Sequence, residues 1–263
     1  MAESVALAVS GARGRMGRIV TELAAEDPAF RVVGGIDRDA EGDVSAALPL
    51  LVTPSEAGDL LKAADVLIDF SAPEFLESIL TRHAEMEAGC ALVVGTTGLG
   101  PPEERLIEAA SEKVGVLTAA NFSVGVNLLI ALTQRSAAAL GAGYDIEIVE
   151  VHHRRKEDAP SGTALALGRA AAAGRKLDLE AVRKDGRSGR PGARPADEIG
   201  FHALRGGDVA GDHCVHFIGE LERIELTHRA SDRALFGAGA LRAAAWIAGR
   251  VPGRYSMRDV LGL

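Results

Sequence analysis

The residues best suited to chemistry lie between Glu150 and Ala164. There Glu-Val-His-His-Arg-Arg-Lys-Glu-Asp-Ala-Pro-Ser-Gly-Thr-Ala sets two His, two Arg and a Lys directly ahead of a Ser-Gly-Thr turn. Histidine supplies or takes a proton near neutral pH more readily than any other side chain. Lysine can donate a proton or stabilise developing negative charge, and fixed cations act more strongly in a site closed to water. In Asp158-Ala-Pro-Ser-Gly-Thr163, Pro160 sets a turn and Ser161 can cap the helix that follows. Gly162 and Thr163 then offer backbone N–H groups that bind a carboxylate as readily as a phosphate. The bland alternative is a capped helix behind a solvated basic strand. What gives the cluster a use is an anionic reactant.

If Val149 to Lys156 stays extended, His152, Arg154 and Lys156 share one face and His153 and Arg155 the other. That alternation argues against His152 and His153 chelating one metal together. A second cluster, His213, Cys214 and His216, lies on an alternating run with no cysteine-pair spacing to support zinc. No metal site is expected.

A different chemistry is written near the N-terminus, in Ser10-Gly11-Ala12-Arg13-Gly14-Arg15-Met16-Gly17. Its glycines follow a GxxGxxG spacing between an apolar, strand-like run and a helical one. A helix N-terminus presents unpaired N–H groups and a positive dipole end, and missing Cβ atoms let a pyrophosphate approach. Glycine patterns also serve plain turns, but Asp37 closes the second strand 20 residues beyond Gly17, where a ribose should sit. That carboxylate favours NAD, whereas the adjacent Arg38 can pair with a 2′-phosphate and favours NADP. With both present, NADH and NADPH are each expected to serve.

Two further loops, Gly95-Thr96-Thr97-Gly98 and Ala119-Ala120-Asn121-Phe122, follow later strands at their carboxyl ends. Ligands bind at such ends in open α/β sheets, so both loops suit the nicotinamide half of a cofactor. Taken singly, each is equally an ordinary strand-to-helix turn. Together, a nicotinamide site, a His, a Lys and an anion-binding turn suit hydride delivery to a conjugated imine or carbonyl that bears carboxylates.

Elements must hold these residues in place. Strands are expected at Val5–Val9, Arg31–Ile36, Val66–Phe70, Ala91–Val94 and Val114–Leu117, with helices at Arg15–Glu26, Pro73 to about Ala88, and Pro101–Glu112. Continuous apolar strands alternating with helices imply a parallel sheet covered on both faces. After a long helix from Val124 to Leu140 the pattern changes. Tyr144–Val151, Ile199–Leu204, His213–Gly219 and Arg223–His228 alternate apolar and polar residues, the period of a strand with one wet face. A mixed or antiparallel open sheet with helices on one side is expected there, and a helical tail from Leu235 to Ala248. The stretch Arg183 to Pro195, with four Arg and one Lys, reads as a mobile solvated loop, or else as a flap or subunit contact.

The bulk composition sets limits. At 263 residues the chain can form one large domain or two modest ones, and its formal charge of −8 argues against general nucleic-acid binding. A local cationic site survives that charge, because screening limits exposed charges to a reach of about 8 Å at physiological salt. Cys90 and Cys214 make no disulfide framework. The Met1-Ala-Glu-Ser4 start carries no cationic targeting region, and no apolar run approaches the roughly 18–20 residues that span a bilayer. A cytoplasmic protein with no membrane partner is expected.

At this point the chain resembles the 4-hydroxy-tetrahydrodipicolinate reductases (dihydrodipicolinate reductases) of bacterial lysine and diaminopimelate synthesis. The resemblance covers essentially the whole chain. It is carried by Gly11–Gly17, Asp69-Phe-Ser71, Gly95–Gly98, Asn121-Phe-Ser-Val-Gly125 and above all Glu150–Thr163. It implies an α/β protein with a Rossmann-like cofactor domain (1–123 plus 234–263) and an inserted α+β domain of mixed open sheet (124–233) that binds substrate and builds a homotetramer. By resemblance, His152 is the proton donor and acceptor and Lys156 a second donor, while His153, Gly162 and Thr163 hold a cyclic dicarboxylate. Cofactor contacts carry over to Gly11, Ala12, Arg13, Gly14, Arg15, Met16, Asp37, Arg38, Gly95, Thr96, Thr97, Ala119, Ala120, Asn121 and Phe122. Arg155 stands where many relatives carry a third His, which bears on substrate affinity and pH dependence.

Two rivals can be separated from this reading. A related dehydrogenase of another small amino or oxo acid keeps the glycine turn but needs other polar groups in the second domain. A dinucleotide sensor needs neither His152 nor Lys156, so their joint presence disfavours it.

Overall fold

An apolar run whose side chains need cover on both faces belongs at the centre of a sheet, and β1 (Val5–Ser10) is buried from Ala6 onward. The computed structural model describes residues 4–41, 45–86 and 89–263. After β1 come α1 (Arg15–Glu26), β2 (Phe30–Ile36), β3 (Leu51–Val52), α2 (Gly58–Ala63) and β4 (Val66–Asp69). They are followed by α3 (Pro73–Ala84), β5 (Ala91–Val94), α4 (Pro101–Ser111) and β6 (Gly115–Thr118). Proline opens both α3 and α4, where its missing N–H costs nothing. The helix expected to reach about Ala88 ends at Ala84; Ala88, like Met1-Ala-Glu3, lies outside the described residues.

The chain continues through α5 (Val124–Leu140), β7 (Asp145–His152), α6 (Gly162–Arg175), α7 (Leu179–Val182) and β8 (Arg183–Asp185). Then follow β9 (Ile199–Arg205), β10 (Asp212–Ile218), β11 (Arg223–Arg229), α8 (Ala234–Ile247), β12 (Gly253–Tyr255) and α9 (Met257–Leu261). Two units result, one of Met1–Ser123 with Ala234–Gly262 and one of Val124–Arg233 with Leu263.

In the first unit, seven parallel strands lie in the order β12-β6-β5-β4-β1-β2-β3. The chain leaves β1 toward β2 on one side and returns to β4 on the other, so the order reverses between β1 and β4. Crevices at such reversals, outside the strand carboxyl ends, are where open α/β sheets bind ligands. Leu67, Leu92 and Val116 of the sheet pack with Ile79, Leu80 and Ile107 of α3 and α4. Gly237 lets α8 approach α1, since a Cβ there would meet Ile19 at 2.8 Å.

The second unit holds a mixed sheet in the order β11-β10-β7-β9-β8. β10 runs antiparallel to β7 and β11, while β9 runs parallel to β7 and β8. Every second residue of β7 is buried, which sends Ile146, Ile148, Glu150 and His152 to one face. Ile146 and Ile148 pack with Val215 and Phe217 of β10 and with Leu129 and Leu167 of α5 and α6. Each such side chain contributes roughly 1.5–3 kcal/mol on burial. Glu150 and His152 continue that face beyond the apolar core, so they must find polar partners there.

The basic stretch Arg183 to Pro195 corrects an expectation. Its first residues are not a solvated loop but β8, paired with β9. Farther on, Arg187 Nη2 and Arg194 Nε reach back to Glu147 Oε1 of β7 at 2.6 and 2.9 Å, and His202 Nε2 lies 2.7 Å from Glu147 Oε2. Burial pushes the Glu147 carboxyl up, but Arg187, His202 and Arg194 outweigh it and hold its pKa at about 2. Opposed charge on the sheet, invisible as a local pattern, ties this segment down.

Candidate active site

Glu150 organises the second unit's polar cluster. It is fully buried on the apolar face of β7. Arg205 grips it with two nitrogens, Nη1 to Oε2 at 2.7 Å and Nη2 to Oε1 at 2.7 Å. The Ser161 N–H donates to Oε1 at 3.1 Å, and His152 Nδ1 lies 2.6 Å from Oε2. Burial alone would raise the Glu150 pKa, but the bonds to Arg205 and His152 more than offset it and leave the pKa below the ordinary carboxylate value. An ionised carboxylate only accepts hydrogen bonds, so His152 Nδ1 carries the proton. In the neutral ring that leaves Nε2 as a bare acceptor, and in the charged ring as an acid. Gly211 faces this atom: a Cβ at that position would come within 3.0 Å of Nε2.

His213 completes the cluster. It pairs in register with Glu150, stacks edge-to-face on His152 with centroids 5.1 Å apart, and sits 2.9 Å from Ser161 Oγ. Burial, then the neighbouring His152 charge, pushes its pKa down to about 4. Ser161 in turn caps α6 by accepting the Ala164 N–H at 3.1 Å. The Ser-Gly-Thr turn is thus tied to Glu150 through one N–H and to His213 through one hydroxyl.

The chain does not stay extended to Lys156, contrary to the expectation. β7 ends at His152, the Lys156 N–H closes a turn onto the His153 carbonyl at 3.1 Å, and Arg154 and Arg155 are exposed. The strand alternation therefore stops before it could align His152, Arg154 and Lys156. Lys156 Nζ instead pairs with both oxygens of Asp158, at 2.8 and 2.9 Å. This bond is the main cause of the lowered Asp158 pKa. Burial lowers the His153 pKa, aided by the charges of Arg155, Arg233, His152 and Lys156. Its Nδ1 is buried without a hydrogen-bond partner among the described residues. Gly162 opens α6 with empty space where a Cβ would be, and Thr163 follows it in the first turn. His152, His153, Lys156 and the turn thus fall in one electrostatic neighbourhood.

The first unit's glycine turn fits a dinucleotide phosphate. Helix α1 starts at N-cap Gly14 with no side-chain cap and no acidic residue in its first turn, which leaves its N–H groups and dipole to an outside anion. Gly11 has φ +70°, and a Cβ there would strike the Phe70 carbonyl at 2.5 Å. A cavity of 470 Å³ is lined by Gly11, Arg13, Gly14, Asp37, Arg38 and Phe70, among others. Asp37 is held by the N–H groups of Arg13 and Arg38, each at 2.8 Å and each on a different oxygen. Each oxygen keeps a lone pair that a ribose hydroxyl could use.

The other expected contacts divide. Arg15 is exposed and Met16 half-buried at the start of α1, while Ala12 is buried with its Cβ against Gly35 and offers only backbone. Gly95 leaves room for the Phe70 ring, which a Cβ there would meet at 2.3 Å, and Thr97 is exposed. Thr96 is buried with its hydroxyl on Asp69 at 2.5 Å. Ala119 bonds through its N–H to Val94 at 3.1 Å, and Asn121 Oδ1 accepts the Ser123 N–H at 2.8 Å. Ala120 stands between them, and Phe122 is buried edge-to-face on Phe70, centroids 5.5 Å apart.

Residues 5–122 match the family described as Dihydrodipicolinate reductase, N-terminus, and residues 125–261 match Dihydrodipicolinate reductase, C-terminus. The chain belongs to the dihydrodipicolinate reductase family. A 4-hydroxy-tetrahydrodipicolinate reductase of Alkalilimnicola ehrlichii is 48% identical over 265 residues, with 98% of each chain covered. One from Thiobacillus denitrificans is 48% identical over 268 residues, with 99% of each covered. Among solved structures, a dipicolinate-bound dihydrodipicolinate reductase from Paenisporosarcina sp. TG-14 shares the fold, with a TM-score of 0.78 at 21% identity. That match covers 98% of this chain and 99% of the other. As a family member the chain is an oxidoreductase, and its first unit is a nicotinamide-dinucleotide domain.

Sequence reasoning did not single out Glu150, Arg205, His213 or Gly211 for roles. His213 carried a usable signal, because it is a polar residue on the apolar side of an alternating strand. The run His213, Cys214 and His216, where no metal was expected, is split by that alternation, with His213 buried and the other two on the opposite face. There Cys214, His216 and Glu225 bring potential ligand atoms within 4.8 Å of one another, but Arg223 Nε already sits 2.8 Å from Glu225 Oε1. Among the described residues no helix is long and apolar enough to cross a membrane.

The His213 shift fixes a pH dependence. Its folded pKa of about 4 lies below the ordinary 6.5, so between those values the unfolded chain binds a proton that the folded one refuses. Stability therefore falls as pH drops through this window, by up to about 3 kcal/mol, and the loss is absent above it. Urea unfolding across the window is expected to give a flatter profile for His213→Gln, which cannot take up the proton. A profile of unchanged slope would show that the ring is not held neutral.

Proposed function

We propose that this protein uses NADH or NADPH to reduce 4-hydroxy-tetrahydrodipicolinate (dihydrodipicolinate) to tetrahydrodipicolinate in lysine and diaminopimelate synthesis. The observation that carries the reading is the oriented His152, its Nδ1 on buried Glu150 and its Nε2 facing Gly211, beside an anion-binding helix start. Family membership supplies the substrate class. When bound, the nicotinamide supplies the hydride. The 4-hydroxyl of the substrate leaves as water to give the conjugated dihydrodipicolinate ring. Adding a hydride to that ring leaves negative charge that one proton must quench, and His152 Nε2 is the donor best held for it. Lys156 is the second donor and a stabiliser of that charge. His153, Gly162 and Thr163 hold a substrate carboxylate, with the α6 N–H groups as its anion site.

On the cofactor side, Gly11, Ala12, Arg13, Gly14, Arg15 and Met16 cradle the pyrophosphate, Asp37 the ribose, and Arg38 a 2′-phosphate when one is present. Gly95, Thr96, Thr97 and Ala119 to Phe122 shape the nicotinamide end. Having both Asp37 and Arg38 supports use of either dinucleotide. Residues 1–123 with 234–263 form the cofactor domain in this scheme, and 124–233 the substrate domain. The same inserted domain would build a homotetramer, a reading supported by the exposed Leu204, Ile218, Leu221 and Ile224 on its strands and hairpin. The free cysteines Cys90 and Cys214 suit a cytoplasmic setting.

Purified protein mixed with enzymatically generated substrate should consume both NADH and NADPH, seen as loss of nicotinamide absorbance. His152→Gln and Lys156→Ala are each expected to lower kcat by about a hundredfold or more. No turnover by the wild type would sink the reaction, and normal turnover by both variants would sink the site assignment. Light scattering of the same preparation should give four times the chain mass; a monomer mass would remove the assembly.

A further inference from the structure

A second buried carboxylate lies in the first unit, outside the chemistry just described. Asp69 ends β4 at the point where the strand order reverses, and it is 1% exposed. Its Oδ1 accepts the hydroxyls of Ser10 at 2.6 Å and Ser71 at 2.7 Å, and its Oδ2 accepts that of Thr96 at 2.5 Å. The Ser71 N–H closes the ring by donating to Thr96 Oγ1 at 3.0 Å, and the Gly95 N–H donates to the Asp69 carbonyl at 2.8 Å. Burial pushes the Asp69 pKa up, opposed by the hydroxyls of Ser10, Thr96 and Ser71.

These partners come from three chain segments. Ser10 ends β1 and immediately precedes Gly11, Ser71 follows β4 and lines the glycine-turn cavity, and Thr96 follows β5. Three parallel strands therefore end on one carboxylate, and each leads into a loop at the dinucleotide crevice. The arrangement also reassigns Thr96. Its proton goes to Asp69 and a lone pair takes the Ser71 N–H, so its hydroxyl is a buried tie rather than a contact for the cofactor.

We infer that Asp69 is a positioning residue for the dinucleotide: acting through Ser10, Ser71 and Thr96, it sets the glycine turn and the Gly95–Gly98 loop at the spacing the cofactor needs. The inference rests on the dinucleotide reading of the first unit. It separates Asp69 from residues that merely hold the sheet together, because its loss should weaken cofactor binding selectively.

Thr96→Val keeps the shape and removes one hydroxyl, whereas Asp69→Asn presents an N–H group to the Thr96 oxygen. Fluorescence titration with NADPH and NADH, with steady-state kinetics on the intact protein, reads the outcome. Thr96→Val is expected to raise Kd and KM for both dinucleotides about tenfold, the equivalent of about 1.4 kcal/mol, with KM for the dicarboxylate within about twofold of wild type. Asp69→Asn should raise them further, and adding Thr96→Val to it should change little, since the groups act as one unit. If Asp69→Asn does not fold, Thr96→Val decides alone. Wild-type Kd and KM for the cofactor in Thr96→Val would overturn the inference, as would equal rises in both substrates' KM. Failure of the wild type to bind either dinucleotide is a separate outcome, which would overturn the reading beneath it.

Discussion

A carboxylate with no access to water must be matched by donors, and Glu150 is matched by three elements at once. Arg205 comes from β9, the Ser161 N–H from the start of α6, and His152 from two residues along β7 itself. Leaving such a charge unpaired would cost several kcal/mol, so each partner is fixed by the need to compensate it. The consequences run outward. Fixing Ser161 sets the helix start that can receive an anion, and fixing Nδ1 decides which nitrogen of His152 can meet a reactant. His213, held neutral by burial, fills the space behind both without adding a competing charge.

The first unit follows a related logic with a different output. Its helix α1 begins without the side-chain cap that α6 has, so its N–H groups are left for a ligand. Around it, Asp69 gathers hydroxyls from three strand ends while Asp37 takes two backbone N–H groups. The two units thus each hold an anion-accepting helix N-terminus, and each anchors it with a buried or backbone-bound acid. The difference lies in the second residue of the pair: a histidine beside Glu150, hydroxyls beside Asp69. The first arrangement orients a ring nitrogen, and the second ties strand ends together.

Much of this was legible in the amino-acid sequence where a pattern is local. Helix α1, strand β5 and helix α5 fall on the residues their periodicity and glycine or proline boundaries indicate. The alternating runs of the second unit did imply a mixed open sheet. Strands β3, β8 and β12 were not legible, since two or three residues cannot display an alternation. The site divides in the same way. His152, Lys156 and the Ser-Gly-Thr turn announce themselves by composition. The partners that give them direction sit far along the chain, with Arg205 opposite His152 on β9 and His213 opposite Glu150 on β10. Glu150 stood in plain view within the motif, but its role depends on a burial that only the sheet register reveals. The extended reading of Val149–Lys156 failed for a reason no local pattern carries: after His152 the backbone bonds to Gly206, Gly207 and Val209 and closes a turn.

The account depends on one proton's address, and nitrogen-15 NMR of the His152 imidazole reads it directly, with the signal assigned by its absence in His152→Gln. In the neutral ring the proton should reside on Nδ1, with Nε2 showing the shift of an unprotonated nitrogen, and Glu150→Gln should weaken or reverse that preference. A neutral wild-type ring protonated on Nε2 would contradict the account, because Glu150 would then not be orienting the acid.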